Sequence, residues 1–130
     1  MENGKKAKKL LYVEDDIYCQ NLVFRVLGGR FHLDMVPDAA AAFQKLATDD
    51  YDGMLIDINL GHGIDGAQLM ERIKVTDHYK DKPLVAITAY AAHSDEEEFR
   101  ARGFTHYLSK PFHLKDLIGL MEEIFGTGDE

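Results

Sequence analysis

"LLYVEDD", Leu10 to Asp16, is the stretch on which the fold turns. A short apolar run with the character of a buried strand leads straight into three adjacent carboxylates, Glu14, Asp15 and Asp16. Such charges repel: a like pair about 4 Å apart costs about 4 kcal/mol at an effective dielectric near about 20. A strand that ends this way needs a compensating cation close by, and the rest of the chain indicates where it comes from.

Outward from this stretch, two apolar periodicities alternate. "KLLYVE" (9–14) reads as a buried strand, and Cys19, Leu22, Val23, Val26 and Leu27 then fall on one face of a helix. Asp16 stands at the N-cap position, and Gly28-Gly29 stands where the helix should stop. "FHLDMV" (31–36) alternates as an edge-like strand. Pro37-Asp38 then opens a helix with Ala39, Ala42, Phe43, Leu46 and Ala47 on its inner face. "YDGMLID" (51–57) is a third strand. A glycine-rich loop follows it, and then a helix from about Asp65 that turns Gly66, Leu69, Met70 and Ile73 inward.

The last third repeats the theme. "PLVAIT" (83–88) carries Pro83 at its first position, where a strand tolerates proline. "SDEEEFRARG" (94–103) is helical by propensity, with acids in its first turn and a thin apolar face around Phe99. "FTHYLS" (104–109) is a fifth strand. Leu114, Leu117, Ile118, Met121, Ile124 and Phe125 form the clearest amphipathic stripe in the chain.

Five strands alternating with five helices through short connections predict βα units wound around a parallel sheet. The runs at 10–13, 53–56 and 84–87 have the continuous apolar character of central strands buried on both faces. The expected fold class is thus α/β, a three-layer sandwich around a five-stranded parallel sheet of order 2-1-3-4-5.

Polar residues interrupt the pattern at the carboxyl ends of the strands. Glu14 and Asp15 close the first, Asp57 the third and Thr88 the fourth, while Lys110 follows the fifth. Open doubly wound sheets bind ligands outside these ends, where the strand order reverses. With the first and third strands adjacent, Glu14, Asp15 and Asp57 converge there, flanked by Thr88 and Lys110. Three carboxylates without a cysteine or a helical His pair suit a hard cation. Mg²⁺ fits best, because it takes oxygen ligands octahedrally and keeps several waters. The backbone carbonyl of Asn59 is a candidate to complete the protein's share. A metal, a hydroxyl and an ammonium around one carboxylate also describe phosphoryl transfer, where catalysis is mainly positioning and charge stabilisation.

Bulk properties narrow the function classes. The 130 residues suit one domain, with 45% apolar residues to fill a core. No run approaches the roughly 20 apolar residues of a membrane span. "MENGKKAKK" lacks a secretory h-region, and a lone cysteine, Cys19, excludes an internal disulfide framework. The cytoplasm is the expected compartment, without membrane attachment. The formal net charge of −8 disfavours nucleic acid as a partner of this domain. Residues 1–8, with Lys5, Lys6 and Lys8, read as a basic flexible arm, and 127–130 as a short acidic tail.

The pieces "LLYVEDD", "GMLIDINL", "DGAQLM", "LVAITAY" and "YLSKPF", in this order and spacing, resemble the receiver (CheY-like, flavodoxin-like) domain of two-component response regulators. The resemblance covers Lys9 to about Phe125, and the domain is expected over 9–126. It implies that Asp57 is the phosphoacceptor, taking its phosphoryl group from a phosphohistidine on a sensor histidine kinase or a histidine phosphotransfer protein. It also implies that Asp15, Asp57 and the Asn59 carbonyl ligate Mg²⁺ (Mn²⁺ being a possible substitute), with Glu14 acting through water. Lys110 would pair with the phosphoryl oxygens, Thr88 would move to hydrogen-bond them, and Tyr107 would turn inward in response. The switch would then reach an unidentified downstream protein target through the fourth helix, fifth strand and fifth helix. A Lys110-Pro111 bond in cis is a further expectation. Such a phosphorelay switch promotes its own phosphorylation and dephosphorylation without being a turnover enzyme.

Two departures from the family pattern stand out. Gly61 occupies a position where proline is common, and the loop 58–66 is one residue longer than usual. Tyr90 is bulky where members vary, and it is a candidate shield over the acyl phosphate. Competing readings remain at this level. One is a receiver module of a hybrid histidine kinase or multidomain regulator. Others are an Asp-nucleophile phosphatase, a flavodoxin-like cofactor binder and a receiver that has lost its chemistry.

Overall fold

The computed structural model describes residues 7–89 and 92–126, and of His93 the backbone alone. Tyr90, residues 1–6 of the basic arm and the tail 127–130 lie outside the described residues.

The chain alternates strictly: β1 (Lys9–Val13), α1 (Ile17–Leu27), β2 (His32–Val36), α2 (Ala39–Thr48), β3 (Gly53–Asp57), α3 (Gly66–Lys74), β4 (Leu84–Thr88), α4 (His93–Arg102), β5 (His106–Ser109) and α5 (Leu114–Phe125). The strands form one parallel sheet in the order β2-β1-β3-β4-β5, as the sequence predicts. β3 and β4 are buried throughout and β1 nearly so, whereas β2 and β5, each paired on one side only, are largely half-exposed.

Alternate side chains divide the interior into two cores. Leu10, Tyr12, Leu55, Val85 and Ile87 pack against Val23 and Leu27 of α1 and Leu117 and Met121 of α5. Leu11, Val13, Met54, Ile56, Leu84 and Ala86 face Ala42 of α2, Leu69 and Met70 of α3 and Phe99 of α4. This is the period-two consequence of a pleated sheet covered on both faces. Among the described residues no helix is long and apolar enough to cross a membrane.

Local chemistry sets the helix ends. Asp16 accepts from the Tyr18 amide and Asp38 from the Ala41 amide, each satisfying a first-turn donor. Asp65 and Gln68 form a reciprocal capping box at the start of α3. Two expected inner faces are narrower than their periodicity suggests. Phe43 and Ala47 of α2 and Leu114 of α5 are exposed, while Ala39 and Ala42 of α2 and Leu117 and Met121 of α5 are buried. In α4 only Phe99 is buried among the residues with described side chains, as its thin apolar face predicts.

Candidate functional site

Each central strand delivers a polar residue at the same sheet edge because backbone pairing continues past the strand ends. The Glu14 amide donates to the Val36 carbonyl at 2.9 Å, the Ile58 amide to Ile87 at 3.0 Å and the Lys110 amide to Thr88 at 2.7 Å. Glu14, Asp15 and Asp57 thereby bring one carboxylate oxygen each to within 4.8 Å of one another. Glu14 and Thr88 are fully buried and Asp57 is 3% exposed, while Asp15 faces solvent.

Lys110 supplies the compensating cation. Its Nζ donates to Glu14 Oε1 at 2.9 Å and lies 3.5 Å from Asp57 Oδ2. Burial works against the ammonium, but the Glu14 hydrogen bond and the charges of Asp57 and Glu14 prevail, so its pKa lies above the ordinary lysine value. Burial also raises the Glu14 carboxyl, and the Lys110 hydrogen bond opposes that rise. The Lys110-Pro111 bond is cis, as expected.

The loop after β3 adds three contacts. Asn59 donates its amide to Asp57 Oδ1 at 3.0 Å, and its side-chain Oδ1 accepts from Thr88 Oγ1 at 3.1 Å. Gly61 donates its amide to Asp15 Oδ2 at 3.1 Å. On the neighbouring strand β5, the half-buried Tyr107 ring stacks on Phe99 with centroids 6.3 Å apart. Among the described residues its hydroxyl is buried without a hydrogen-bond partner.

The structure brings several of the sequence-derived residues together at one sheet edge. Glu14, Asp15, Asp57, Asn59, Thr88 and Lys110 share one crevice, and Tyr107 lies beside α4. Three features escape a reading by residue type. Tyr12, taken for an apolar strand position, donates its hydroxyl to Glu14 Oε1 at 2.9 Å; its spacing of two from Glu14 was the available signal. The side chain of Asn59 and the amide of Gly61 also engage the site, and nothing local in the sequence marks those pairings. Cys19 is half-buried rather than core, and its Sγ lies 3.4 Å from Asp16 Oδ2. Burial pushes this thiol up to about 11.

A doubly wound sheet with three acids, a lysine and a hydroxyl at its carboxyl edge defines an α/β domain with one polar crevice. The model of the response regulator receiver domain matches residues 10–122, and the chain belongs to that family. It is 34% identical over 116 residues to the response regulator protein FleR of Pseudomonas aeruginosa, covering 88% of this chain but 24% of FleR. It is 29% identical over 118 residues to the receiver protein CpdR of Brucella abortus, covering 90% of this chain and 96% of CpdR. Among solved structures, it superposes on the receiver domain of the Pseudomonas aeruginosa sensor histidine kinase PA1611 with a TM-score of 0.81. That pair is 26% identical, covers 93% of this chain and 99% of the other, and the PA1611 domain has a magnesium ion coordinated in its active-site cleft.

Proposed function

We propose that this receiver domain, over residues 9–126, is a phosphorylation-activated switch in which Asp57 takes a phosphoryl group from a phosphohistidine. The observation that carries the reading is the contact set of one nearly buried carboxylate. Asp57 stands beside two further acids, with an ammonium at 3.5 Å and its own Oδ1 held by the Asn59 amide. That hold leaves Oδ2, on the lysine side, to attack phosphorus. The new O–P bond forms as the P–N bond breaks, and the bonding pair returns to the donor imidazole.

The donor set fits a hard divalent cation, since every candidate ligand is an oxygen. Asp15, Asp57 and the Asn59 carbonyl would hold Mg²⁺ directly and Glu14 through water, with Mn²⁺ as a substitute of similar preference. When bound, the ion neutralises charge on the phosphoryl oxygens. Lys110 shares that task, and its raised pKa keeps it protonated.

Phosphorylation turns one negative charge into nearly two and adds strong acceptors. Thr88, now bonded to Asn59 Oδ1, lies on the adjacent strand and would turn its hydroxyl toward them. Tyr107 of β5, stacked on Phe99 of α4, would carry the change to the face of α4, β5 and α5. α4 suits that part because it is anchored by little apolar surface.

The partners on this reading are a sensor histidine kinase or histidine phosphotransfer protein upstream and an unidentified protein target downstream. The chain is not a turnover enzyme on this reading, because its acceptor lies on the third strand and Asn59 stands two residues beyond it. Hydrolysis of a generic phosphate ester with turnover would favour the phosphatase alternative. The near-complete match to CpdR and the partial match to FleR suit a stand-alone receiver and a module of a larger regulator alike.

The test is incubation with acetyl phosphate and Mg²⁺ followed by intact mass. The parent should gain one phosphoryl group and Asp57→Asn none. Equal gain in both, or none in the parent, overturns the assignment.

A further inference from the structure

We infer that Tyr12 is a positioning residue for the metal site: its buried hydroxyl fixes the Glu14 carboxylate so that the other oxygen, Oε2, serves the ion. The inference rests on the proposed metal-binding reading and adds to it a residue from inside the core.

Tyr12 is the largest polar-tipped side chain on the central strand β1, and it is fully buried. It belongs to a core of apolar side chains that includes Leu10, Leu27, Phe31 and Met121. A phenylalanine would fill the same space without a hydroxyl to desolvate, and an unpaired buried hydroxyl is destabilising. The hydroxyl is instead satisfied at 2.9 Å by Glu14 Oε1. Glu14 follows directly on β1 and stands two residues beyond Tyr12, so in extended chain the two side chains project to the same side.

The two Glu14 oxygens are unequally engaged. Oε1 receives both Tyr12 and Lys110, each at 2.9 Å, whereas among the described residues the one hydrogen bond to Oε2 comes from the Asp16 amide at 3.3 Å. Oε1 is therefore the anchored oxygen and Oε2 the one available to a water of the ion. Tyr12 and Lys110 also differ in what they can do next. The proposed chemistry draws Lys110 toward phosphoryl oxygens. Tyr12, embedded in the sheet, cannot follow. It leaves Glu14 with a donor on Oε1 after the lysine moves, so the buried carboxylate does not swing toward Asp57.

Calorimetric titration with Mg²⁺ alone tests this in four proteins: the parent, Tyr12→Phe, Glu14→Ala and the double variant, each checked for a cooperative thermal transition. Outer partners of metal ligands typically matter by about 10–100-fold in affinity. Because Glu14 acts through water, Tyr12→Phe should weaken Mg²⁺ binding by about tenfold, at the lower end of that range. In the Glu14→Ala background the same change should have no effect on affinity. Unchanged affinity in Tyr12→Phe overturns the role, as does an equal loss in both backgrounds, which would mark a general structural effect. Thermal stability supplies a second reading. Tyr12→Phe should raise the melting temperature in the Glu14→Ala background, where the hydroxyl is orphaned, and a fall there counts against the pairing. A parent that neither binds Mg²⁺ nor takes up phosphate sinks the metal-site reading itself, and this role with it.

Discussion

The backbone amide of Gly61 donates to Oδ2 of Asp15 at 3.1 Å, tying the loop after β3 to the end of β1 across 46 residues. A proline, common at this position in the family the sequence resembles, has no N–H to give. A Cβ built at Gly61 would also stand 3.0 Å from the same oxygen. The unusual glycine and the orientation of an exposed acid are thus one feature.

Gly61→Pro should consequently loosen Asp15. The expected cost is about 1 kcal/mol of stability, in line with a net hydrogen bond, read as a lower urea midpoint. Mg²⁺ affinity should fall a few-fold, because Asp15 is exposed and loses the donor that orients it. A rise in affinity would mean that the amide competes with the ion for Asp15.

Gly66→Ala should push α3 away from the acceptor. A Cβ there would meet the Asp57 carbonyl oxygen and would lie 2.8 Å from Ile58 Cα, both of them backbone atoms that cannot turn aside. Overpacking of this kind costs about 1–3 kcal/mol. Urea denaturation should show that loss, and acetyl phosphate labelling of Asp57 should slow. Parent-like values of both would mean that the helix start yields freely.

Asp57→Asn should stabilise the protein in EDTA. It removes one of three carboxylates gathered within 4.8 Å while leaving the Lys110–Glu14 pair at 2.9 Å intact. At an effective dielectric near about 20, relief of like-charge repulsion at such distances is worth on the order of 1 kcal/mol after partial neutralisation by lysine. Mg²⁺ should raise the melting temperature of the parent more than that of Asp57→Asn, since only ligands that favour the folded state shift the transition.

His106 should contribute to acid sensitivity. Burial lowers its pKa below the ordinary 6.5, with Arg100 acting in the same direction and Glu123 against it. Its Nδ1 lies 2.8 Å from Thr105 Oγ1, and its Nε2 lies 3.8 Å from Glu123. Because the folded value is depressed, the unfolded chain binds the proton first. The stability is therefore complete above pH 6.5 and declines as pH falls through the folded value. His106→Gln should show a smaller drop in urea midpoint between neutral and mildly acid pH. An identical drop in both proteins would mean that other groups carry the acid response.

Much of this molecule was legible before any coordinates. Element order and strand order follow from apolar periodicity and the short connections, which are local properties of the chain. Asp16, Asp38 and Asp65 cap helices where their positions before apolar stripes place them. Phe43 and Ala47 were misjudged because periodicity reports which side of α2 faces inward, not how far the sheet reaches beneath it.

By itself, the sequence determined the set of reactive groups at one edge of the sheet. A polar residue that breaks an apolar strand at its carboxyl end has nowhere else to go in a parallel fold. Only the tertiary structure decided how those groups are paired: Lys110 on Glu14 across 96 residues, Gly61 on Asp15 across 46, and Tyr12 on Glu14. The physical reason is range. Burial patterns are written in spacings of two to four residues, whereas a hydrogen bond depends on a few tenths of an ångström between segments brought together only when the whole sheet closes.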